Sequence, residues 1–263
     1  MKEKVSVFIV LLALLAMQPM QAAKQQPTQP PSVDPRAKEM LRRMADYLGS
    51  LNSFGVRVQT TREAIAPSGL ELDSDQVFDL HVQRPGRLHG VLHSAAGEKQ
   101  FFYDGQTFTI HTPSLKYYAT FPAPPTLDQL FQETINHGLE MPAADLVFSN
   151  PYQALTHGVT SGMYVGESLV NGVNTRQLAF QTKNADWQIW IQSGEQPLPV
   201  KLVITDRRRS GSPRYTAVFS GWETSPTFDQ SMFTFTPAEG DRKIDIKRAP
   251  GRRAPKPMSL PTK

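Results

Sequence analysis

Two spacings divide the apolar residues of this chain. Met40, Leu41, Met44, Tyr47, Leu48 and Leu51 recur at three- and four-residue steps, the period of one helical face. Asp34 followed by Pro35 supplies an N-cap and a first-turn proline, so a helix is expected from Pro35, with Gly49 marking its end. The period then drops to two. "SFGVRVQTT" sets Phe54, Val56 and Val58 against Gly55, Arg57 and Gln59, as side chains alternate along a strand. "DQVFDLHVQRPGRLHGVLH" carries Phe78, Leu80 and Val82, a Pro85–Gly86 turn, then Leu88 and Leu92. In "KQFFYDGQTFTIHT", Asp104–Gly105 reads as a two-residue turn with positive φ angles. Phe101 and Tyr103 lead in, and Phe108 and Ile110 lead out. Asn171–Gly172 repeats the device before Leu178 and Phe180. "ADWQIWIQSGEQPLPVKLVITD" places Trp187, Ile189 and Ile191 on one face, answered by Val200, Leu202 and Ile204. Trp190 stands alone on the opposite face, between Gln188 and Gln192. With "PRYTAVFSGWE" and "SMFTFTP" added, ten or eleven strands on short turns predict an antiparallel meander.

Between Phe121 and Gly158 the period of two stops. Thr126 with Gln129 forms a capping box, and Leu127, Leu130, Phe131 and Ile135 give the following helix one apolar edge, ending at Gly138. "PAADLVFSNPYQALTHG" adds two short helical pieces broken at Pro151. A helical insert of this kind, spanning 122–158, packs on the sheet or covers its open end. A sheet so wide curls rather than staying flat. Curling collects Phe78, Leu80, Leu92, Phe108, Ile110, Leu178, Phe180, Trp187, Ile189 and Ile191 on the inside of a barrel-like shell. If the helices fill that shell, it is a core. If they cover it in part, an apolar cavity suited to an acyl chain remains. Trp190 is then expected on the outside, under the first helix or another wrapping segment.

Composition adds compartment. The chain has 263 residues and no cysteine, which excludes disulfides, zinc–thiolate sites, thiol nucleophiles and a lipid-modified N-terminal cysteine. Lys2 and Lys4 precede the 13-residue run Val5–Met17, too short for a span of roughly 20 residues, and Ala22 and Ala23 offer a cleavage site. Residues 1–22 therefore read as a signal peptide, cut near Ala22/Ala23, and an exported cysteine-free chain fits a bacterial periplasm. Residues 23–34 read as a Gln/Pro-rich linker, 35–240 as one domain, and 241–263 as a basic, Pro-rich disordered tail. The net charge of +4 is uneven: +1 in the signal, +6 in the tail and −3 in the body. That is no nucleic-acid footprint, although the tail suits peripheral contact with anionic lipid.

The search for chemistry returns little. No HExxH, Gly-rich phosphate loop or G-x-S-x-G is present, and Ser168 in "GESLV" precedes an Asn–Gly turn rather than a helix. His89 and His93 share a strand face with His81 on the facing strand, but no carboxylate at useful spacing is evident, so no metal site is expected. "DRRRSGSPR" reads as the solvated tip of a hairpin.

The segments "MLRRMADYLGSLNSF", "QRPGRL", "FFYDGQTFTI", "YYATFPAPPTLDQLF", "MPAADLVF", "YVGESLVNGV", "DWQIWIQSGEQPLPVKLVIT" and "FTFTPAEGDRKI" together resemble one family. It is a family of predicted periplasmic proteins (domain of unknown function 2092) in the LolA/LolB-like lipoprotein-carrier superfamily. The resemblance runs from about Pro35 to Ile244. It implies a mainly β fold: a half-open antiparallel barrel wrapped by the first helix and lidded by the insert, with an apolar cavity and no cofactor. The expected function is a non-enzymatic periplasmic carrier, working as a monomer. Its expected partners are a lipid, a lipidated protein or an envelope membrane protein, not a nucleic acid. The alternatives are an envelope sensor or protein-interaction module using the same shell, and a hydrolase with a scattered site.

Overall fold

A computed structural model describes residues 32–136 and 144–245. The expected signal peptide, most of the expected linker, the expected end of the lid helix at Gly138 and the expected tail beyond Asp245 lie outside them. In chain order the elements are α1 (Pro35–Ser50), β1 (Ser53–Ile65), β2 (Glu71–Gln83), β3 (Arg87–Ser94), β4 (Gly97–Tyr103), β5 (Thr107–Thr112) and β6 (Tyr117–Pro122). The insert follows, with α2 (Leu127–Asn136), a 3-10 turn at Ala144–Leu146 and α3 (Pro151–Thr156). Then come β7 (Val159–Val170), β8 (Val173–Thr182), β9 (Ala185–Gln192), β10 (Pro199–Asp206), β11 (Arg214–Glu223) and the two-residue β12 (Arg242–Lys243).

The strands form one open sheet of 12 in the order β12-β6-β5-β4-β3-β2-β1-β11-β10-β9-β8-β7. All pairs are antiparallel except β12 with β6. Local chemistry explains the turns. Asn171 and Gly172 both take positive φ, 49° and 80°, as the Asn–Gly pair requires. At Asp104–Gly105 only the glycine does, at 90°. Asp104 instead turns the chain with its side chain, Oδ1 accepting from the N–H groups of Gln106 and Thr107. The Asp34 carboxylate caps α1 by accepting from Arg36 N–H at 2.8 Å. Gly49 does not end that helix. It stays helical, and a Cβ there would stand 3.3 Å from the Ser149 carbonyl oxygen, so its role is close approach to the insert.

The two faces of the sheet carry different loads. Across the register Phe54, Val82, Leu88, Tyr103 and Phe108 share one row, and Ala217, Leu202, Ile189 and Leu178 share another, all on one inner face. The buried faces of α1 (Leu41, Met44, Leu48), α2 (Leu127, Leu130, Phe131) and α3 (Leu155) join the same cluster. The helices α1, α2 and α3 thus sit on the inside. The first helix does not wrap the outer face, and Trp190 is not beneath it. Trp190 lies on the outer face, only 9% exposed, with the Lys201 ammonium of the neighbouring strand 4.9 Å from its ring centroid.

The outer face has its own cover. "SMFTFTP" is not a strand of the sheet but part of a strap that crosses β2 to β6. Phe228 meets His81 at 5.4 Å, Phe235 meets Phe102, His111 and Tyr118 at 5.3, 5.0 and 4.9 Å, and Phe233 is fully buried. The strap ends at Asp241, whose carboxylate lies 3.3 Å from His111 Nε2. β12 then pairs with β6, so the first residues of the expected tail belong to the fold. At the other terminus, Ser32–Asp34 of the expected linker lie along β7, with Asp34 N–H donating to the Gly162 carbonyl at 2.9 Å.

Candidate functional site

With β1 running upward, the turns after β1, β3, β5, β8 and β10 gather at the upper end, and α1 ends at the lower one. Burial of the inner face varies between its two halves. On the β2–β6 side the lowest row, Val82, Leu88 and Tyr103, is fully buried, and Leu92, Phe101 and Ile110 in the next two rows are half-buried. On the β8–β11 side Leu178 and Ile189, level with Thr60, are fully buried, and Ile204 and Tyr215 one row higher are half-buried. Phe180 and Trp187 stack at 4.3 Å in that higher row. Phe78, Leu80, Phe108 and Ile191, expected beside them, are buried on this face too. The ten expected lining residues therefore share one continuous apolar surface, roofed by Leu127, Leu130 and Phe131. The side chain of Ile135 lies outside the described residues.

Two glycines shape this surface. The Phe78 ring crosses Gly90, where a Cβ would meet it at 2.6 Å, and the Phe180 ring crosses Gly162, where the distance would be 2.3 Å. Neither position tolerates a side chain while the ring lies flat.

The roof is pinned to the shell by polar contacts at the lower end. Leu127 N–H donates to the Pro85 carbonyl at 2.9 Å, and the Tyr103 hydroxyl donates to the Pro124 carbonyl. Burial, with Asp104 and Glu133 nearby, pushes that phenol up to about 12. Arg84 is the central pin. Its Nε donates to the Leu51 carbonyl at the end of α1 (3.1 Å), and Nη1 donates to the Val147 carbonyl of the insert (2.6 Å). Its Nη2 is buried with no partner among the described residues, and burial lowers its pKa against the pull of Asp128. Asp128 of α2 accepts from Ser149 N–H at 2.8 Å and from the Ser149 hydroxyl, fastening the two parts of the insert together. Sequence reasoning missed Arg84. Its one signal is a cation before a Pro–Gly turn, flanked by apolar strands and with no acidic neighbour.

The histidine group assembles differently from expectation. His81 and His89 pair across β2 and β3 with ring centroids 6.0 Å apart, and their Nδ1 atoms are buried without partners among the described residues. Carboxylates do stand near His93: Asp79 at 3.8 Å and Glu98 at 3.6 Å, both brought in by register from adjoining strands. Asp79 is already engaged by Arg57 through bonds of 2.6 and 2.9 Å, which hold its carboxyl below the usual range. Among the described residues no group has the make-up of a metal site. Ser168 lies on the edge strand β7 opposite Thr175.

The described residues thus form an open antiparallel half-barrel with an apolar inner face and a helical roof. Residues 37–247 match the family described as predicted periplasmic protein (DUF2092), and the chain belongs to that periplasmic family. Among solved structures it is similar to the lipoprotein LppX of Mycobacterium tuberculosis, at 18% identity and TM-score 0.47, covering 74% of this chain and 98% of that one. It is similar to LprF of Mycobacterium bovis at 14% identity and TM-score 0.46, covering 75% and 97%. A LolA-superfamily protein of Nitrosomonas europaea matches at 12% identity and TM-score 0.38, covering 76% and 97%. No curated protein sequence matches. Among the described residues no helix is long and apolar enough to cross a membrane.

Proposed function

We propose that this protein is a periplasmic binding protein that carries a lipid, an acyl chain or a lipidated polypeptide against the inner face of its half-barrel. The observation that supports this reading is the apolar cluster on that face, fully buried at Val82, Leu88, Tyr103, Leu178 and Ile189 and half-buried at Leu92, Phe101, Ile110 and Ile204. The insert acts as the roof that lifts to admit cargo, through Leu127, Leu130, Phe131 and Ile135. Each CH₂ group buried is worth about 0.8 kcal/mol, so a long chain gains useful affinity without polar contacts. No cofactor takes part. Native mass spectrometry after gentle purification tests the proposal. Bound mass that matches lipid supports it, and a protein that stays at its bare mass when offered lipid refutes it.

The interaction-module reading rests on a separate observation. β7 is the edge of the sheet, and Met163, Val165 and Leu169 on it are exposed. An extended peptide added along it gains main-chain hydrogen bonds. Loss of partner binding on placing proline at Glu167, with lipid binding intact, would favour this second use.

A further inference from the structure

The upper inner face holds a polar atom with no hydrogen-bond partner among the described residues. Tyr215 on β11 stands level with Ile204 and Trp187 on one side and with Arg62 of β1 on the other. Its ring packs against the apolar cluster. Its hydroxyl is buried and has no hydrogen-bond partner among the described residues. The Arg62 guanidinium sits over the ring, 5.9 Å from the centroid, and so covers its face rather than its oxygen. Burial, opposed only in part by Arg62, raises the phenol well above its ordinary pKa, so it remains a neutral donor throughout the physiological range.

A buried hydroxyl without a partner is costly, and phenylalanine would fill the same space without that cost. The position of the hydroxyl gives it a use. One row below, Ala217 and Leu202 are buried and wholly apolar. Above it is the β10–β11 hairpin tip with the exposed Arg207–Arg209. An acyl chain carries oxygen at one end alone. A uniformly greasy surface would accept it either way round, whereas a buried donor at the upper rim orients it.

We infer that the Tyr215 hydroxyl is the polar anchor of the site. It donates to the carbonyl or carboxylate oxygen of an acyl ligand whose hydrocarbon runs down the inner face toward Leu202 and Ile189. The inference rests on the carrier reading above and adds the orientation of the cargo and the chemistry of its head.

Displacement of a fluorescent apolar dye by palmitate, methyl palmitate and hexadecane tests it, in the wild-type protein and in Tyr215→Phe. The wild type is expected to hold the two oxygenated ligands about tenfold more tightly than hexadecane, the scale of one buried hydrogen bond. Tyr215→Phe brings all three together. Preference for palmitate over the ester identifies a carboxylate as the recognised head, and equal binding identifies the carbonyl. Ligand-free Tyr215→Phe should melt at or above the wild-type temperature, because its lost hydroxyl had no partner. Persistence of the preference in the variant, or a marked fall in its melting temperature, overturns the inference and leaves the carrier reading standing. Failure of the wild type to bind any of the three overturns both.

Discussion

Arg84→Met separates the roof from the shell with the least disturbance to either. Methionine keeps the apolar stem and the backbone N–H, which donates to the Asn52 carbonyl at 2.8 Å. It removes two charge-assisted bonds, at 3.1 Å to Leu51 and 2.6 Å to Val147. Such bonds are worth about 1.5–3 kcal/mol each. Against that loss stands the burial of a half-paired guanidinium, which the lowered pKa of Arg84 reports and which the variant no longer bears. The net cost is about 2–4 kcal/mol. It is divided between the insert, through Val147, and the end of α1, through Leu51, because the β2–β3 turn keeps its own backbone pairing. With about half of that cost on the Val147 side, at 1.4 kcal/mol per factor of ten, opening of the roof becomes roughly 5- to 30-fold more frequent. Hydrogen exchange followed by mass spectrometry reads this directly. Peptides covering Leu127–Asn136 and Pro151–Thr156 should lose protection while those from β2, β8 and β9 keep theirs. Unchanged protection in the insert would refute the pinning role. Equal loss in insert and sheet would show that Arg84 supports the whole fold instead.

Other outcomes follow from the same contacts. Trp187→Ala removes a buried ring stacked at 4.3 Å on Phe180 and should lower stability by about 3–5 kcal/mol in urea titration; a loss below about 1 kcal/mol would mean the site collapses onto the gap. The Asp241 carboxyl is held below its usual range, first by the Ala238 N–H and then by His111. A depressed folded pKa contributes stability that is present above about pH 4 and lost as pH falls through the folded value. The Ala238 amide signal in NMR should therefore titrate with a midpoint under about 3.9, and a midpoint at or above it counts against the anchor. Tyr103 runs the opposite way. Its pKa, raised to about 12, gives stability that is complete below about pH 10 and declines as pH rises through 12. Tyr103→Phe should flatten the stability profile between about pH 10 and 12, and an unaltered slope would refute that source.

What was legible in the chain was what is encoded locally. The helical stripe of α1, the capping box at Thr126 and the Asn171–Gly172 turn each satisfy their own backbone groups within a few residues. Each therefore forms where its pattern says. Contacts set by strand register left no such trace. His93 meets Asp79 and Glu98 because β2 and β4 flank β3, and Lys201 covers Trp190 because β9 and β10 pair as they do. The strap misled for a related reason. Phe233 and Phe235 alternate like strand residues, yet they insert into the outer face, where Thr234 N–H bonds back to Ser231 rather than to a neighbouring strand. Of the site, the apolar surface was readable from alternation. Its polar fixtures, Arg84 and Tyr215, were not, because a lone arginine or tyrosine has no period.

The Phe78 and Phe180 rings rest on bare backbone at Gly90 and Gly162. Each is also held from the side by another ring, Phe101 at 5.8 Å from Phe78 and Trp187 at 4.3 Å from Phe180. A methyl group at either glycine would tilt the ring off its strand and into that partner. How closely the inner surface hugs its own strands is thus set by two side chains the sequence leaves out.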